Sequence, residues 1–275
     1  MTLPGPIHVT HLFPPMLEAL MALLEGLSQE EWEAPAADEW SVHDTALHLL
    51  GGDVGILSRQ RDGWTAGGHT ITGWEELVAF INDWNRAWVE TTRRMSPRLL
   101  CELLRLTGAQ VSAYFDTLDP EAVGGAVSWA EPEPAPVWLD LAREYAERWH
   151  HQQQIRDAVN HPGLTEPEFL APVLDTFVRA LPHTYGDIAA PDGAAVALSI
   201  TGEAGGHWYV LHQGGRWQLH VGMPDVPAAA VTVDEDTAWR LFTKGIQPQD
   251  AAGKVTIGGD VALGRVALGM VSVIA

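Results

Sequence analysis

The stretch EYAERWHHQQQIRDAVN, residues 144–160, brings two glutamates, two adjacent histidines, three glutamines and two arginines together in one short segment. A helix over this stretch has about five turns, and residues three or four positions apart share one of its faces. Glu147 and His151 have that spacing, so a single helix can present both side chains to one metal ion. Two ligands are too few for a metal site, and the rest of the chain must supply others.

A third ligand is offered by His48, which lies on another predicted helix. One histidine and a Glu/His pair give three nitrogen and oxygen ligands and leave positions open for water or substrate, as in catalytic zinc sites. Two ordinary interpretations compete with this one. Glu147 and His151 also suit an exposed i,i+4 ion pair, and His48 suits a half-buried histidine bonded to Asp44. Spacing alone leaves these open, but it disfavours His150, which lies about 100° round the helix from His151.

The first half of the chain predicts a bundle of four long helices, a fold whose interior often holds metal ligands from facing helices. Apolar residues recur at helical spacing over residues 8–27, 41–61, 74–95 and 96–118, and the stretch 144–160 follows as the last long helix of this half. Pro14 and Pro15 suit the first turn of the first helix. Ser41 and Asp44 suit a capping box at the start of the second. Residues 28–39 and 119–136 are polar or proline-rich, and we expect them to be connections.

The second half changes character and predicts a smaller α+β domain. Short β-branched or alternating runs predict strands over 194–201, 208–212, 216–221, 229–233 and 255–260. Helices are expected over 167–181, 238–243 and 261–275. Helices first and strands afterwards indicate two domains of different class. We place them at residues 1–183, an all-α four-helix bundle, and at residues 190–275.

The charge of the chain narrows the classes of partner. The sequence has 275 residues, and 16 Lys and Arg against 36 Asp and Glu give a formal net charge of −20. Nucleic acids and anionic membranes both select basic surfaces, so neither is expected as a partner.

No signal peptide or membrane-spanning run is visible, and we expect a cytoplasmic protein. The single cysteine, Cys101, lies in an apolar run and is interpreted as packing. The sequence is compatible with a monomer and with an oligomer.

Two motifs carry a resemblance to a known family. Residues 39–44, EWSVHD, followed by ALHL at residues 46–49, resemble the signature of the mycothiol-dependent maleylpyruvate isomerase N-terminal domain. That domain belongs to the DinB-like four-helix superfamily of metal-dependent thiol transferases. ERWHHQ, residues 147–152, is similar to the family's last metal-binding helix. The resemblance implies that His48, Glu147 and His151 bind a divalent metal, zinc by preference, with nickel as a substitute.

The C-terminal half resembles sterol-carrier-like α/β domains. The similarity lies in ITG at residues 200–202, in Gly206 and Trp208, in DTAWRLF at residues 236–242 and in IGGD at residues 257–260. Together the two resemblances cover roughly residues 10 to 275.

The family implies an isomerase or S-transferase that uses a low-molecular-weight thiol, such as mycothiol or bacillithiol, on a small electrophile. Glu144, one turn before Glu147, is a candidate for proton handling. Candidate substrate-binding residues are Asn82, Asn85, Arg156 and Arg265, although amides among tryptophans also cap cores and Arg156 also suits a salt bridge. Arg265, like Arg240, matches no motif. Two alternatives stay open: a carrier of apolar ligands whose metal is structural or vestigial, and a metal-dependent hydrolase.

Overall fold

The computed structural model describes residues 2–37, 39–64, 73–127 and 129–272. Internal contacts divide the chain into two compact units. The helical unit comprises Val9–Asp119 and Glu147–Leu164, and the sheet unit comprises Met1–His8, Pro120–Ala146 and Thr165–Ile274. This division groups residues 165–183 with the sheet, whereas the sequence groups them with the bundle. The domain bounds at 183 and 190 therefore stay a prediction.

The helical unit is built mainly from long helices. Its elements up to Asp119 are a 3-10 turn Thr10–Leu12, α1 Phe13–Leu24, α2 Gln29–Glu33, β1 Pro35–Ala37, β2 Trp40–Ser41, α3 Val42–Gly55, a π-helical turn Ile56–Arg61, α4 Trp74–Thr92 and α5 Pro97–Phe115. The first two prolines of α1 lie in its first turn, as predicted, where a missing N–H costs nothing. The four long helices expected before residue 119 are thus confirmed, although α1 begins five residues later than predicted and α3 ends at Gly55, where the π-helical turn continues to Arg61.

Helix α3 begins where the sequence predicts, because Ser41 and Asp44 form a reciprocal capping box. Asp44 N donates to Ser41 Oγ at 3.2 Å, and Ser41 N donates to Asp44 Oδ2 at 3.3 Å. Two of the backbone N–H groups at the start of α3 are thereby satisfied. The same box at Ser28 and Glu31 starts α2. Residues 28–39 are therefore not a plain connection: they hold a five-residue helix and the short strand β1, which pairs with β2 directly after them.

The core of the helical unit lies between α1, α3 and α5, with α4 packed along α3. Its fully buried side chains include Met21, Leu47, Leu50, Leu100 and Leu104. Helix α4 approaches closely at Gly51, where an added Cβ would lie 2.7 Å from the Trp88 ring. The Trp88 indole N–H donates to the Leu47 carbonyl at 2.8 Å.

A hairpin replaces the surface connection predicted over residues 119–136. Strands β3 Val123–Val127 and β4 Glu131–Pro136 pair antiparallel with an irregular register. Prolines argued against strands here, but a two-stranded ribbon has two free edges where a proline without N–H is tolerated. The chain then enters α6, Val137–Ala158, which begins before the predicted start at residue 144. The boundary between the two units falls within this helix.

The sheet unit holds a five-stranded sheet with helices. Its further elements are α7 Pro167–Val178, α8 Leu181–Thr184, β5 Ala195–Thr201, β6 Gly206–Gln213, β7 Arg216–Val221, β8 Ala229–Asp234, α9 Glu235–Phe242, β9 Val255–Gly259, α10 Val261–Val266 and a 3-10 turn Ala267–Gly269. The strand order is β7-β6-β5-β8-β9, and all neighbours are antiparallel except β5 and β8. All five predicted strands are confirmed, as is the α+β class of this half.

The last predicted helix is shorter than expected. It was predicted over 261–275, but α10 ends at Val266 and the backbone is extended at Met270; residues 273–275 lie outside the described part. Two glycines lower the helix propensity of this run. Gly264 serves close packing, because an added Cβ would lie 2.5 Å from Ile257 Cγ2 on β9. Across the described residues, no helix is long and apolar enough to cross a membrane.

Candidate metal centre

Helices α3 and α6 bring together three side chains, His48, Glu147 and His151, which we call the metal triad. His48 lies on α3, in the second turn after the Ser41 cap, and the other two lie one turn apart on α6. All three belong to the helical unit. One ligand atom of each lies within 4.8 Å of the ligand atoms of the other two. In the described part of the chain, this is the group of three or more His, Cys, Asp or Glu side chains that satisfies such a limit.

The distances within the triad fit a small divalent ion. Glu147 Oε1 lies 3.0 Å from His151 Nε2 and 3.5 Å from His48 Nε2. Two atoms that each lie 2.0–2.1 Å from a tetrahedral zinc ion are about 3.3 Å apart. Two imidazoles and one carboxylate are also a donor set that zinc accepts. The residues present therefore fit a divalent metal, and three ligands leave a position open.

The triad is mostly enclosed but reachable. The side chains of His48 and His151 are 13% and 12% exposed, and that of Glu147 is 37% exposed. The two imidazole rings meet edge to face, with centroids 4.5 Å apart. Trp40 on β2 covers His48 from another side, with ring centroids 5.1 Å apart. Glu147 is thus the most exposed side chain of the triad.

Burial and the neighbouring charges shift the pKa values of all three side chains of the triad. Burial favours a higher pKa for the Glu147 carboxyl, but His151 and His48 outweigh it and hold that pKa well below its usual range. Burial and the nearby His151 lower the pKa of His48. For His151 burial opposes the charged ring, but the Glu147 carboxylate and the hydrogen bonds to Glu147 and Gln154 raise its pKa. The carboxylate is therefore charged at neutral pH and attracts one cation, a proton or a metal.

Of the two alternatives to a metal site, a His48–Asp44 bond and a Glu147–His151 ion pair, the structure agrees only with the second. Asp44 does not bind His48; its carboxylate accepts from Arg93 Nε at 2.8 Å and from Arg93 Nη2 at 3.1 Å. A salt bridge between Glu147 and His151 does agree with their distance, but it gives no reason for a second imidazole at 3.5 Å. His150 is buried beside His151, with ring centroids 5.3 Å apart, and burial lowers its pKa to about 3. It stays neutral and outside the triad.

A second polar cluster, which the sequence did not reveal, also joins α3 to α6. Arg148 Nη2 donates to Asp53 Oδ1 at 2.8 Å, and Thr107 Oγ1 on α5 donates to Asp53 Oδ2 at 2.8 Å. We call these three residues the Asp53 cluster. The side chains of Asp53 and Arg148 are only 5% and 15% exposed. The one sequence signal was an isolated aspartate inside the apolar run of α3.

Two predicted site residues have identifiable contacts. Glu144 accepts from Arg143 Nη2 at 2.7 Å. Arg156 is buried and donates to the carbonyl oxygens of Ala19, at 3.3 Å, and Pro162, at 2.7 Å. The bond to Ala19 connects α6 to α1, so Arg156 has a structural role. The proposed roles of Glu144 and Arg156 toward a substrate stay predictions.

The other three predicted site residues lie on the surface or near it. Asn82 is exposed and Asn85 half-buried, both on α4 of the helical unit. Arg265 is exposed on α10 of the sheet unit. Their roles in substrate binding stay predictions as well.

Comparison with known proteins gives one family match. The profile of the family described as "Mycothiol maleylpyruvate isomerase N-terminal domain" matches residues 13–156, more than half of the 275 residues. This range contains α1 to α5 and most of α6, with all three triad residues. No curated protein matches the chain.

Solved structures show the same fold over most of the chain. A crystal structure of a histidine-to-alanine mutant of the mycothiol-dependent maleylpyruvate isomerase aligns with a TM-score of 0.53 at 11% identity, covering 92% of both chains. Another structure of the mycothiol-dependent maleylpyruvate isomerase gives 0.50 at 10% identity, with the same coverage. A sterol carrier protein domain of Helicoverpa armigera aligns with 38% of this chain and 87% of its own at 18% identity, with a TM-score of 0.24.

Proposed function

Because the chain belongs to the mycothiol maleylpyruvate isomerase N-terminal domain family, we propose that it is a metal- and thiol-dependent isomerase or S-transferase. Its substrate is a small electrophile. The observation that supports this proposal most is the metal triad, because His48, Glu147 and His151 come from two helices and meet at ligand spacing. The proposed metal is zinc, with nickel as a substitute, and the proposed location is the cytoplasm.

The residues of the chain prepare the site in three ways. Glu147 holds a negative charge that compensates a cation, and its side chain is the most exposed of the three. His48 and His151 present ring nitrogen atoms from enclosed positions. Trp40 packs on His48 and limits the approach of water from that side. A divalent metal held there supplies the power to deprotonate a thiol near neutral pH.

The proposed thiol comes from outside the chain, and mycothiol or bacillithiol are the candidates. The protein's own thiol, Cys101, is buried and shows no sign of activation. Burial raises its pKa, and the Glu25 carboxylate adds to that effect. Raised thiol pKa values are typical of structural cysteines and not of nucleophiles.

The proposed chemistry balances without an oxidant or reductant. The thiol sulfur forms a C–S bond to an unsaturated carbon, and the double bond becomes a single bond that can rotate. Breaking the same C–S bond returns the thiol and gives the geometric isomer. Retention of that bond, with a proton taken up by the adjacent carbon, gives S-transfer. The net charge of −20 disfavours nucleic acid as a ligand, because phosphate binding depends on basic groups.

The test is an isomerisation assay with maleylpyruvate, zinc and mycothiol. We expect turnover that requires both zinc and the thiol, that is abolished in His48→Ala and that persists in the control Cys101→Ala. Isomerisation by metal-free protein would contradict the proposal. So would turnover of simple esters without any thiol, which indicates a hydrolase, or stabilisation by fatty acids with no effect of zinc and thiol, which indicates a carrier.

A further inference from the structure

Gln154 lies on α6, three residues after the triad residue His151, and contacts its imidazole directly. Gln154 Oε1 is 2.7 Å from His151 Nδ1, and the glutamine side chain is half-buried. We infer that Gln154 is a positioning residue for the metal site: it fixes the ring of His151 with a proton on Nδ1 and a free lone pair on Nε2. This inference rests on the proposed function only in taking the triad as the metal site.

The direction of this hydrogen bond determines which ring nitrogen can bind a metal. An amide oxygen accepts and does not donate, so His151 Nδ1 must carry the proton of the bond. A neutral imidazole has one proton, and Nε2 then keeps its lone pair. Nε2 is the atom that faces Glu147 Oε1, at 3.0 Å. Gln154 therefore leaves the metal-facing nitrogen in the form that a metal needs.

The arrangement also explains why a cation belongs at this place. With the proton on Nδ1, a lone pair of His151 and a carboxylate oxygen of Glu147 lie 3.0 Å apart. Two acceptors at this distance repel each other unless a positive charge lies between them. Losing the bond to Gln154 allows the proton to move to Nε2 and donate to Glu147. The ring would then be held by Glu147 in the form that cannot bind a metal.

The two neighbouring glutamines have other partners, which makes them suitable controls. Gln152 Nε2 donates to the Met16 carbonyl oxygen at 3.3 Å. Gln153 Oε1 accepts from Leu164 N at 3.2 Å. Of the three consecutive glutamines, Gln154 is the one whose hydrogen bond reaches a triad residue in the described structure. Gln152→Leu thus makes the same chemical change on the same helix without touching His151.

The first measurement is zinc affinity by competition with a chelator, on the full-length chain. We expect Gln154→Leu to bind zinc about 10-fold more weakly or worse, as is usual when the partner of a ligand histidine is lost. Gln154→Glu retains an acceptor and is expected to bind zinc at least as tightly as the wild type. Gln152→Leu should bind within about twofold of the wild type. Equal affinities in Gln154→Leu and the wild type would overturn the inference, while the proposed function would stand.

The second measurement detects the His151 Nδ1 proton by nitrogen-15 NMR, with and without zinc. We expect a protected Nδ1–H signal in the wild type, its loss in Gln154→Leu and its return in Gln154→Glu. A merely structural role for Gln154 would not give this pattern. Absence of a protected Nδ1–H in the wild type would overturn the inference. If the wild type takes up no zinc, the proposed function fails, yet this signal still shows whether Gln154 orients the ring.

Discussion

The metal triad and the Asp53 cluster join the same two helices, α3 and α6, but they differ in the source of their positive charge. In the Asp53 cluster the cation is Arg148, which is bonded to Asp53 at 2.8 Å and cannot lose its proton at any ordinary pH. In the triad one carboxylate faces two imidazoles, at 3.0 and 3.5 Å. The positive charge there is not fixed by the chain.

The source of the positive charge therefore distinguishes a structural ion-pair cluster from a metal-binding one. A buried ion pair that contains its own cation is complete, and it serves to hold the helices in register. A carboxylate with two neutral nitrogen donors is complete only when a proton or a metal joins it. Both lie on α3 and α6, but only the metal triad takes its positive charge from outside the chain.

The largest expected effect comes from breaking the Asp53 cluster. Asp53→Ala should lower the free energy of unfolding by about 3–5 kcal/mol, because it leaves the Arg148 charge in a buried site without the Asp53 carboxylate. Urea denaturation measures this. The double change Asp53→Leu with Arg148→Met should cost much less than Asp53→Ala, since replacing both charges is often neutral. A double variant as unstable as the single one would show that the ion pair is not what holds α3 to α6.

The stability contributed by the metal triad should depend on zinc instead. At zinc concentrations near 100 times its Kd, the wild type should gain about 2.7 kcal/mol in free energy of unfolding. A chelator should reverse the gain, and Glu147→Gln should abolish it. Asp53→Asn serves as the matched control, since it changes a carboxylate of the other cluster and should keep the gain. A gain that survives Glu147→Gln would remove the distinction between the two clusters.

A smaller effect is expected from the cap of α3, because this helix carries His48 and Asp53. Ser41→Ala should cost about 1 kcal/mol of stability through loss of the bond to Asp44 N. Ser28→Ala removes the equivalent cap of α2, which carries a residue of neither cluster. Both variants should lose similar stability by urea denaturation, but zinc binding should weaken only in Ser41→Ala. Equal zinc affinity in the two variants would show that α3 is positioned without its cap.

The smallest effect is the pH dependence contributed by Asp44. Burial favours a higher pKa for this carboxyl, but hydrogen bonds from Arg93 and Ser41 outweigh it and lower the pKa below the ordinary 3.8. A lowered pKa means that the contribution is present above the unfolded-state value and is lost as pH falls through the folded value. We expect the stability difference between wild type and Asp44→Asn to shrink as the pH falls below about 4. A difference that is constant with pH would contradict this.

The sequence predicts those parts of the site that depend on local geometry. Spacing along one helix places Glu147 and His151 together, and the signature of a cap marks where α3 begins. His48 is different, because its meeting with α6 depends on how two helices pack. Spacing gave it no preference over a histidine bonded to Asp44, and only the family motif around it favoured the metal.

Other parts were missed for physical reasons. Asp53 and Arg148 are 95 residues apart in sequence, and no local pattern signals a pairing of that separation. The prolines of residues 119–136 are usually turn signals, and they concealed a ribbon that tolerates them at its edges. Gln154 lies three residues after His151 and so shares its face of the helix, but this spacing does not show whether its amide bonds the imidazole or solvent.

The measurement that tests the metal triad most directly is anomalous scattering at the zinc absorption edge, from crystals of zinc-loaded protein. We expect one strong peak at about 2.0–2.2 Å from His48 Nε2, Glu147 Oε1 and His151 Nε2. The peak should be absent from crystals of His151→Ala treated in the same way. A zinc peak at other residues, or no peak in crystals of protein that carries zinc in solution, would contradict the account.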